Sequence, residues 1–115
     1  MVTLAFLQGA YFFVTGAWAI VHIDSFQKVT GRKTDLWLVK TVGVLLVVIG
    51  SGLILAGMKQ QLGPGLILIG MGSAAGLIAI ELVYVFRGVI STIYGADAVV
   101  EAGFLIGWMM CFLNA

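Results

Sequence analysis

Long apolar stretches alternate with short polar connections along the whole chain. Residues 2–21, 36–58, 66–86 and 98–113 are almost free of charge, and most polar residues lie between them. A transmembrane helix needs about 20 predominantly apolar residues, so the pattern predicts four such helices. Because short connections make consecutive helices antiparallel neighbours, we expect an all-α fold. We predict a four-helix transmembrane bundle with antiparallel up-down topology, in which residues 1–115 form a single transmembrane domain.

The ends of the predicted helices carry residues typical of helix starts. Thr34 and Asp35 precede the second stretch and Asp97 precedes the fourth, where each can accept hydrogen bonds from free backbone N–H groups. Pro64, between two glycines, is placed to open the third helix. The fourth stretch is short, so its helix either spans thinly or extends back into the preceding loop. Residues 25–33 fit either a short helix in the lipid headgroups or a solvated loop.

The composition agrees with a membrane location. Of the 115 residues, 62% are hydrophobic and 10% are charged, and the mean hydropathy is +1.16. Soluble domains are about 45–50% apolar and about 25% charged. The chain is therefore predicted to be an integral membrane protein. Its net charge of +1 is too small to indicate a nucleic-acid partner.

Residue types that support catalysis or metal binding are scarce. One histidine and the single cysteine, Cys111, cannot form an internal disulfide or a standard zinc or haem site. The sequence contains no nucleophile-elbow, zinc-protease or phosphate-loop motif. We therefore expect no enzymatic activity, no cofactor and no metal.

The basic residues indicate an orientation in the membrane. Five lie in or beside the first and third connections and one lies in the second: Lys28, Arg32, Lys33, Lys40 and Arg87, against Lys59. Cytoplasmic loops carry the excess of lysine and arginine. This asymmetry predicts a multi-pass protein of the bacterial inner membrane with both termini on the non-cytoplasmic side.

Glycines recur at helical spacing within the apolar stretches. The candidate packing glycines are Gly43, Gly50, Gly57, Gly72, Gly76, Gly103 and Gly107. Small residues allow close helix approach, which is how helices associate in lipid. Two interpretations stay open. The glycines pack the four helices of one chain together, or some of them, Gly103 and Gly107 first, form the interface of a homo-oligomer.

Each apolar stretch carries one ionisable residue near the end that the orientation places toward the cytoplasm. These residues are His22, Lys40, Glu81 and Glu101. Lys40 is expected to form an ion pair with one of the two glutamates, since opposite charges within about 4–6 Å favour the charged forms. The other glutamate, beside His22, becomes a candidate for ion or proton exchange.

A purely structural interpretation of the same residues is also available. Lys40 can extend to the headgroups, and Glu101 would lie in the first turn of the fourth helix, where the helix dipole favours a negative charge. Glu81 is harder to explain. Arg87 and Tyr84 follow it closely in sequence and form the expected second shell that would satisfy it near the membrane surface.

Residues 25–43 read SFQKVTGRKTDLWLVKTVG. This segment resembles the loop-to-second-helix segment of a family of small uncharacterised bacterial four-helix integral membrane proteins, a resemblance that implies no specific activity. In size and number of spans the chain is also similar to small multidrug-resistance transporters. That family relies on a membrane-embedded glutamate in its first helix, whereas the first stretch here has no acidic residue.

These observations favour a structural or accessory membrane protein. Its expected partners are the lipid bilayer and either a second copy of the chain or another membrane protein. The alternative is a small proton- or ion-coupled transporter or channel that uses the ionisable residues at the cytoplasmic side.

Overall fold

The structure is a computed structural model that describes residues 2–31, 36–61, 63–88, 90 and 92–113. This part of the chain is all-α. Its five helices are α1 (Val2–Val21), α2 (Ile23–Thr30), α3 (Leu36–Lys59), α4 (Pro64–Phe86) and α5 (Ile93–Leu113). The chain divides into two compact units, the first containing α1, α2 and α3 and the second containing α4 and α5.

Four of the helices are long and apolar enough to cross a membrane. They are α1, α3, α4 and α5, with 20, 24, 23 and 21 residues. At a rise of about 1.5 Å per residue, each reaches or exceeds the ~30 Å thickness of the hydrocarbon layer. The all-α fold and the four apolar helices predicted from the sequence are therefore confirmed.

The first residues of α4 and α5 lie earlier than predicted. Pro64 is in the first turn of α4 after an extended Gly63, which confirms its predicted role. Helix α5 begins at Ile93, five residues before position 98, so the fourth helix extends back into the loop. The prediction that Asp97 precedes this helix is wrong, because Asp97 lies in its second turn. Thr34 and Asp35 lie outside the described residues.

Glycine backbones meet at the interface between α1 and α3. A methyl group added at Gly9 would lie 2.7 Å from the carbonyl oxygen of Gly50, and one added at Gly16 would overlap the carbonyl oxygen of Gly43. The order of these contacts shows that α1 and α3 run antiparallel. No side chain separates the two backbones at these points, which gives the close packing that stabilises helix pairs in lipid.

A bend at His22 joins α1 to the short helix α2. The Trp18 indole N–H donates to the Ser25 hydroxyl at 2.7 Å, and the Trp18 and Phe26 rings meet edge to face at 5.3 Å between centroids. His22 caps α2, since its Nδ1 accepts a hydrogen bond from the Ser25 backbone N–H at 3.3 Å. Of the two alternatives for residues 25–33, the helical one describes the chain as far as Thr30.

The second unit is a hairpin of α4 and α5. The buried residues recur at three- and four-residue spacing, which places them on one face of each helix. They are Ile67, Gly70, Ala74 and Glu81 on α4, and Ala98, Glu101 and Trp108 on α5. After α4, Gly88 adopts a left-handed backbone with φ of 72°, which favours glycine, and the chain turns back into α5.

Candidate functional site

Glu81 lies on the packing face of α4, five residues before the helix ends at Phe86. The residue continues the spacing of the buried positions Gly70 and Ala74, so the same face that brings α4 against α5 also buries the acid. Only 4% of Glu81 is exposed. A carboxyl group in this position has lost nearly all contact with solvent because of the helix packing itself.

Glu101 lies on the buried face of α5, as Glu81 does on α4, and is fully buried, with 0% exposure. The sequence placed it in the first turn of its helix, where the dipole favours a negative charge. That prediction is wrong, because α5 begins at Ile93 and Glu101 lies in the third turn. The dipole effect falls off within the first turn. Glu101 therefore has no stabilisation of this kind, and its burial needs another explanation.

The hairpin brings a third acidic residue to the two glutamates. Asp97 precedes Glu101 by four residues, one helical turn, so both lie on the same side of α5. Asp97 and Glu101 both interact electrostatically with Glu81 across the helix pair, and Asp97 does so with Glu101. We call Glu81, Asp97 and Glu101 the carboxyl cluster. Its members repel one another when charged, in a segment that would lie in lipid.

No cation of the described α4–α5 hairpin compensates the two glutamates. All four of their carboxyl oxygens are buried, and none accepts a hydrogen bond from an N–H or hydroxyl group of the described residues. The side chain beside Glu81 is that of Asp97, and two carboxyl groups can share a hydrogen bond only when one of them is protonated. The predicted neighbours Tyr84 and Arg87 are exposed and do not hydrogen-bond to Glu81. The proposed second shell thus leaves the Glu81 carboxyl unsatisfied. Buried polar groups normally have partners, so this pair is the feature of the hairpin that most needs a function.

The other two predicted members of the ionisable set belong to the first unit. His22 lies at the bend before α2, where its Nδ1 is 2.7 Å from the Ser25 hydroxyl oxygen, and the Ser25 hydroxyl donates to the His22 carbonyl at 3.1 Å. Lys40 is exposed in the second turn of α3. The convergence of His22 and Lys40 with the glutamates, and the ion pair of Lys40, stay predictions.

The predicted packing glycines have different environments in the two units. Gly43 and Gly50 meet the backbone of α1, and a methyl group added at Gly57 would contact the Phe6 ring at 3.4 Å. Of the predicted glycines on α4 and α5, Gly72, Gly76 and Gly103 are open, since an added methyl group would find no atom within 4 Å, and Gly107 is half-buried.

Asp97 was not predicted as a member of the site. Gly70, Ala74 and Trp108 were likewise not predicted as packing residues of the same hairpin. Asp97 was assigned to a helix start, which concealed its four-residue spacing from Glu101. Reading α5 back through Ile93 would have revealed this spacing.

No family model, curated protein or solved structure matches this chain. The resemblance of residues 25–43 to small bacterial membrane proteins therefore stays a prediction. The carboxyl cluster must be interpreted from its own chemistry.

Proposed function

We propose that the four long helices form an antiparallel up-down bundle in the bacterial inner membrane, with both termini on the non-cytoplasmic side. The short connections and the basic residues near α2 support this arrangement. The test uses single cysteines in a Cys111→Ser background. Lys28→Cys should react with a membrane-impermeant maleimide only from the cytoplasmic side, and Lys59→Cys only from the opposite side. The reverse pattern would overturn the orientation.

We propose further that the protein exchanges protons or a small cation through the carboxyl cluster, as a small ion-coupled transporter or channel. The observation that carries this proposal is the burial of Glu81 and Glu101 on facing helices, where no N–H or hydroxyl group of the described residues donates to either carboxyl group. Acidic residues within membrane-spanning segments are costly and usually serve a function. A purely structural hairpin would be more stable with two leucines in these positions.

The structural explanations considered for the glutamates fit poorly with the hairpin. The first helical turn does not contain Glu101, and the exposed Arg87 and Tyr84 do not satisfy Glu81. Glu81 and Glu101 lie on the packing faces of two neighbouring helices, which indicates that the two carboxyl groups act together. Binding of a positive species between them would neutralise the cluster and remove the repulsion among its members.

The experiment is flux in proteoliposomes that contain a trapped pH indicator and carry an imposed pH or cation gradient. The wild type should dissipate the gradient faster than protein-free vesicles, and Glu81→Gln and Glu101→Gln should both abolish that difference. Asp24→Asn is the matched control, since Asp24 is an exposed acid on α2 outside the cluster. Flux that is absent in the wild type, or equal in all variants, would contradict the proposal.

A second candidate is the structural or accessory membrane protein that self-associates. The open glycines Gly72, Gly76 and Gly103 support it, because they leave room on α4 and α5 for the close approach of another helix. Energy transfer between labelled copies in vesicles tests this function. Gly103→Leu should weaken association, whereas Gly52→Leu, at an open position of α3, should not. A chain that stays monomeric at every protein-to-lipid ratio would exclude this role.

A further inference from the structure

We infer that the ligand of the carboxyl cluster is the proton, held by Glu81 or Glu101, and that Asp97 is the group through which it enters. This inference rests on the proposed exchange function and names the species that is exchanged. It follows from three observations on the hairpin: the donor set, the charges that face the cluster, and the position of Asp97.

The donor set does not suit a metal ion. Calcium takes six to eight oxygen ligands and magnesium takes six in near-octahedral geometry, so a site within protein needs carbonyls, amides or several converging carboxylates. Among the described residues, no three aspartate, glutamate, histidine or cysteine side chains converge in a way that could hold a metal ion. The two glutamates alone offer four oxygens on opposing helices. A proton, by contrast, needs only one donor and one acceptor oxygen.

Within the described part of the α4–α5 hairpin, the charges that act on the two glutamates all have the same sign. The titratable groups that act on Glu81 are Asp97 and Glu101 from α5, and the group that acts on Glu101 is Asp97. The cation nearest to Glu81 in sequence is Arg87, which follows the last residue of α4 and is exposed. Two ionised carboxylates facing each other in low dielectric repel strongly. One proton on this pair removes a charge, and when Glu81 holds it the carboxylic acid can donate a hydrogen bond to the Asp97 carboxylate beside it.

Asp97 connects this pair to the hairpin end. It is half-buried, whereas Glu101 is fully buried, and it lies one helical turn of about 5.4 Å nearer to the start of α5. A proton that the Asp97 carboxylate takes from a hydronium ion passes to whichever glutamate is unprotonated, either Glu81 across the hairpin or Glu101 on the same helix. In each transfer a carboxylic acid donates the proton and a carboxylate accepts it. The uptake by Asp97 adds one positive charge to the cluster, and each later transfer leaves the total charge unchanged.

A hydrophobic carbodiimide tests this inference on the wild-type protein in vesicles. The reagent reacts in apolar surroundings with a protonated carboxyl group, which adds across the C=N bond and rearranges to a stable N-acylurea. We expect mass spectrometry to find the adduct on Glu81 or Glu101 at neutral pH. Exposed Asp24 should escape this reagent and react with a water-soluble carbodiimide instead. Absence of the hydrophobic adduct from both glutamates would overturn the inference.

The role of Asp97 has its own readout. Asp97→Asn should slow proton flux and leave the hydrophobic adduct on the glutamates, because the pair still holds its proton but exchanges it slowly. Asp24→Asn again serves as the control for flux. Undiminished flux in Asp97→Asn would exclude Asp97 as the entry group.

Comparison of the two measurements separates this inference from the proposed function. Adduct formation without flux would support the bound proton and contradict exchange. Flux that requires sodium, potassium, magnesium or calcium, together with protection from the carbodiimide by that cation, would support exchange and overturn the proton as its ligand. Gel filtration checks that each variant used for flux is folded. The carbodiimide labelling that tests the bound proton is carried out on the wild-type protein and does not depend on any substitution.

Discussion

Glu81 of α4 and Glu101 of α5 interact electrostatically across one helix pair, and both carboxyl groups are buried. Each lies at a position where the hairpin would otherwise place an apolar side chain. The hairpin therefore has an interface in which packing and charge oppose each other. Proteins retain such local conflicts mainly at functional sites, often at the expense of stability.

The first prediction concerns this conflict. Replacing both acids, as Glu81→Leu with Glu101→Leu, should raise the stability of the hairpin by about 1–4 kcal/mol, because well-packed apolar residues remove the desolvation penalty of buried charge. The measurement is thermal unfolding in detergent, followed by circular dichroism. The same double variant should lose all flux. A lower melting temperature than that of the wild type would show that the acids stabilise the fold.

The second prediction tests the close approach of α1 and α3. Gly50→Ala should destabilise the first unit by about 1–3 kcal/mol, since its methyl group would lie 2.5 Å from the Gly9 carbonyl oxygen and 2.7 Å from the Phe13 backbone nitrogen. Unfolding in a graded series of denaturing detergent measures the change. Gly52→Ala on the same helix is the control. Its surroundings are open, so it should be neutral or stabilising by up to about 1 kcal/mol.

Hydropathy was sufficient to predict the long helices but not the start of α5. The predicted stretch 36–58 nearly coincides with Leu36–Lys59, because apolar residues occupy that helix from end to end. The first five residues of α5 instead include Tyr94, Gly95 and Asp97, which are polar or weak helix formers. Hydropathy reports where apolar residues begin, whereas backbone hydrogen bonds decide where a helix begins.

Spacing alone also could not tell which face of α4 packs against its neighbour. Gly72 and Gly76 have the four-residue spacing of a packing motif, yet the buried face contains Gly70 and Ala74. All faces of this helix are apolar, so no amphipathic pattern distinguishes the packing face. Glu81 was recognised because acids are rare in membrane segments, but its pairing with Glu101 depends on the register of the hairpin, which no single helix encodes.

The third prediction concerns the bend between α1 and α2. Ser25→Ala removes the hydroxyl that accepts from the Trp18 indole and donates to the His22 carbonyl. We expect faster hydrogen exchange of the α2 amides, with a loss of about 0.5–1.5 kcal/mol, the usual net contribution of a hydrogen bond. Lys28→Ala, at an exposed position of α2, is the matched control. Equal exchange in the two variants would show that these hydrogen bonds do not hold the bend.

The fourth prediction compares two tryptophans of different burial. Trp108 has 0% exposure, whereas Trp37 is 68% exposed on α3. The register that places Glu81 beside Asp97 and Glu101 puts Trp108 level with Gly70 and Ala74, whose small side chains leave space for its ring. Trp108→Ala should therefore leave a cavity and destabilise the hairpin by about 3–5 kcal/mol. Trp37→Ala should change stability far less, because its ring packs against little protein.

Thermal unfolding of both variants in the same detergent measures the difference, and comparable losses would contradict the register. Since this register also brings the carboxyl cluster together, Trp108→Ala should reduce flux as well, although residue 108 lies almost two helical turns from Glu101.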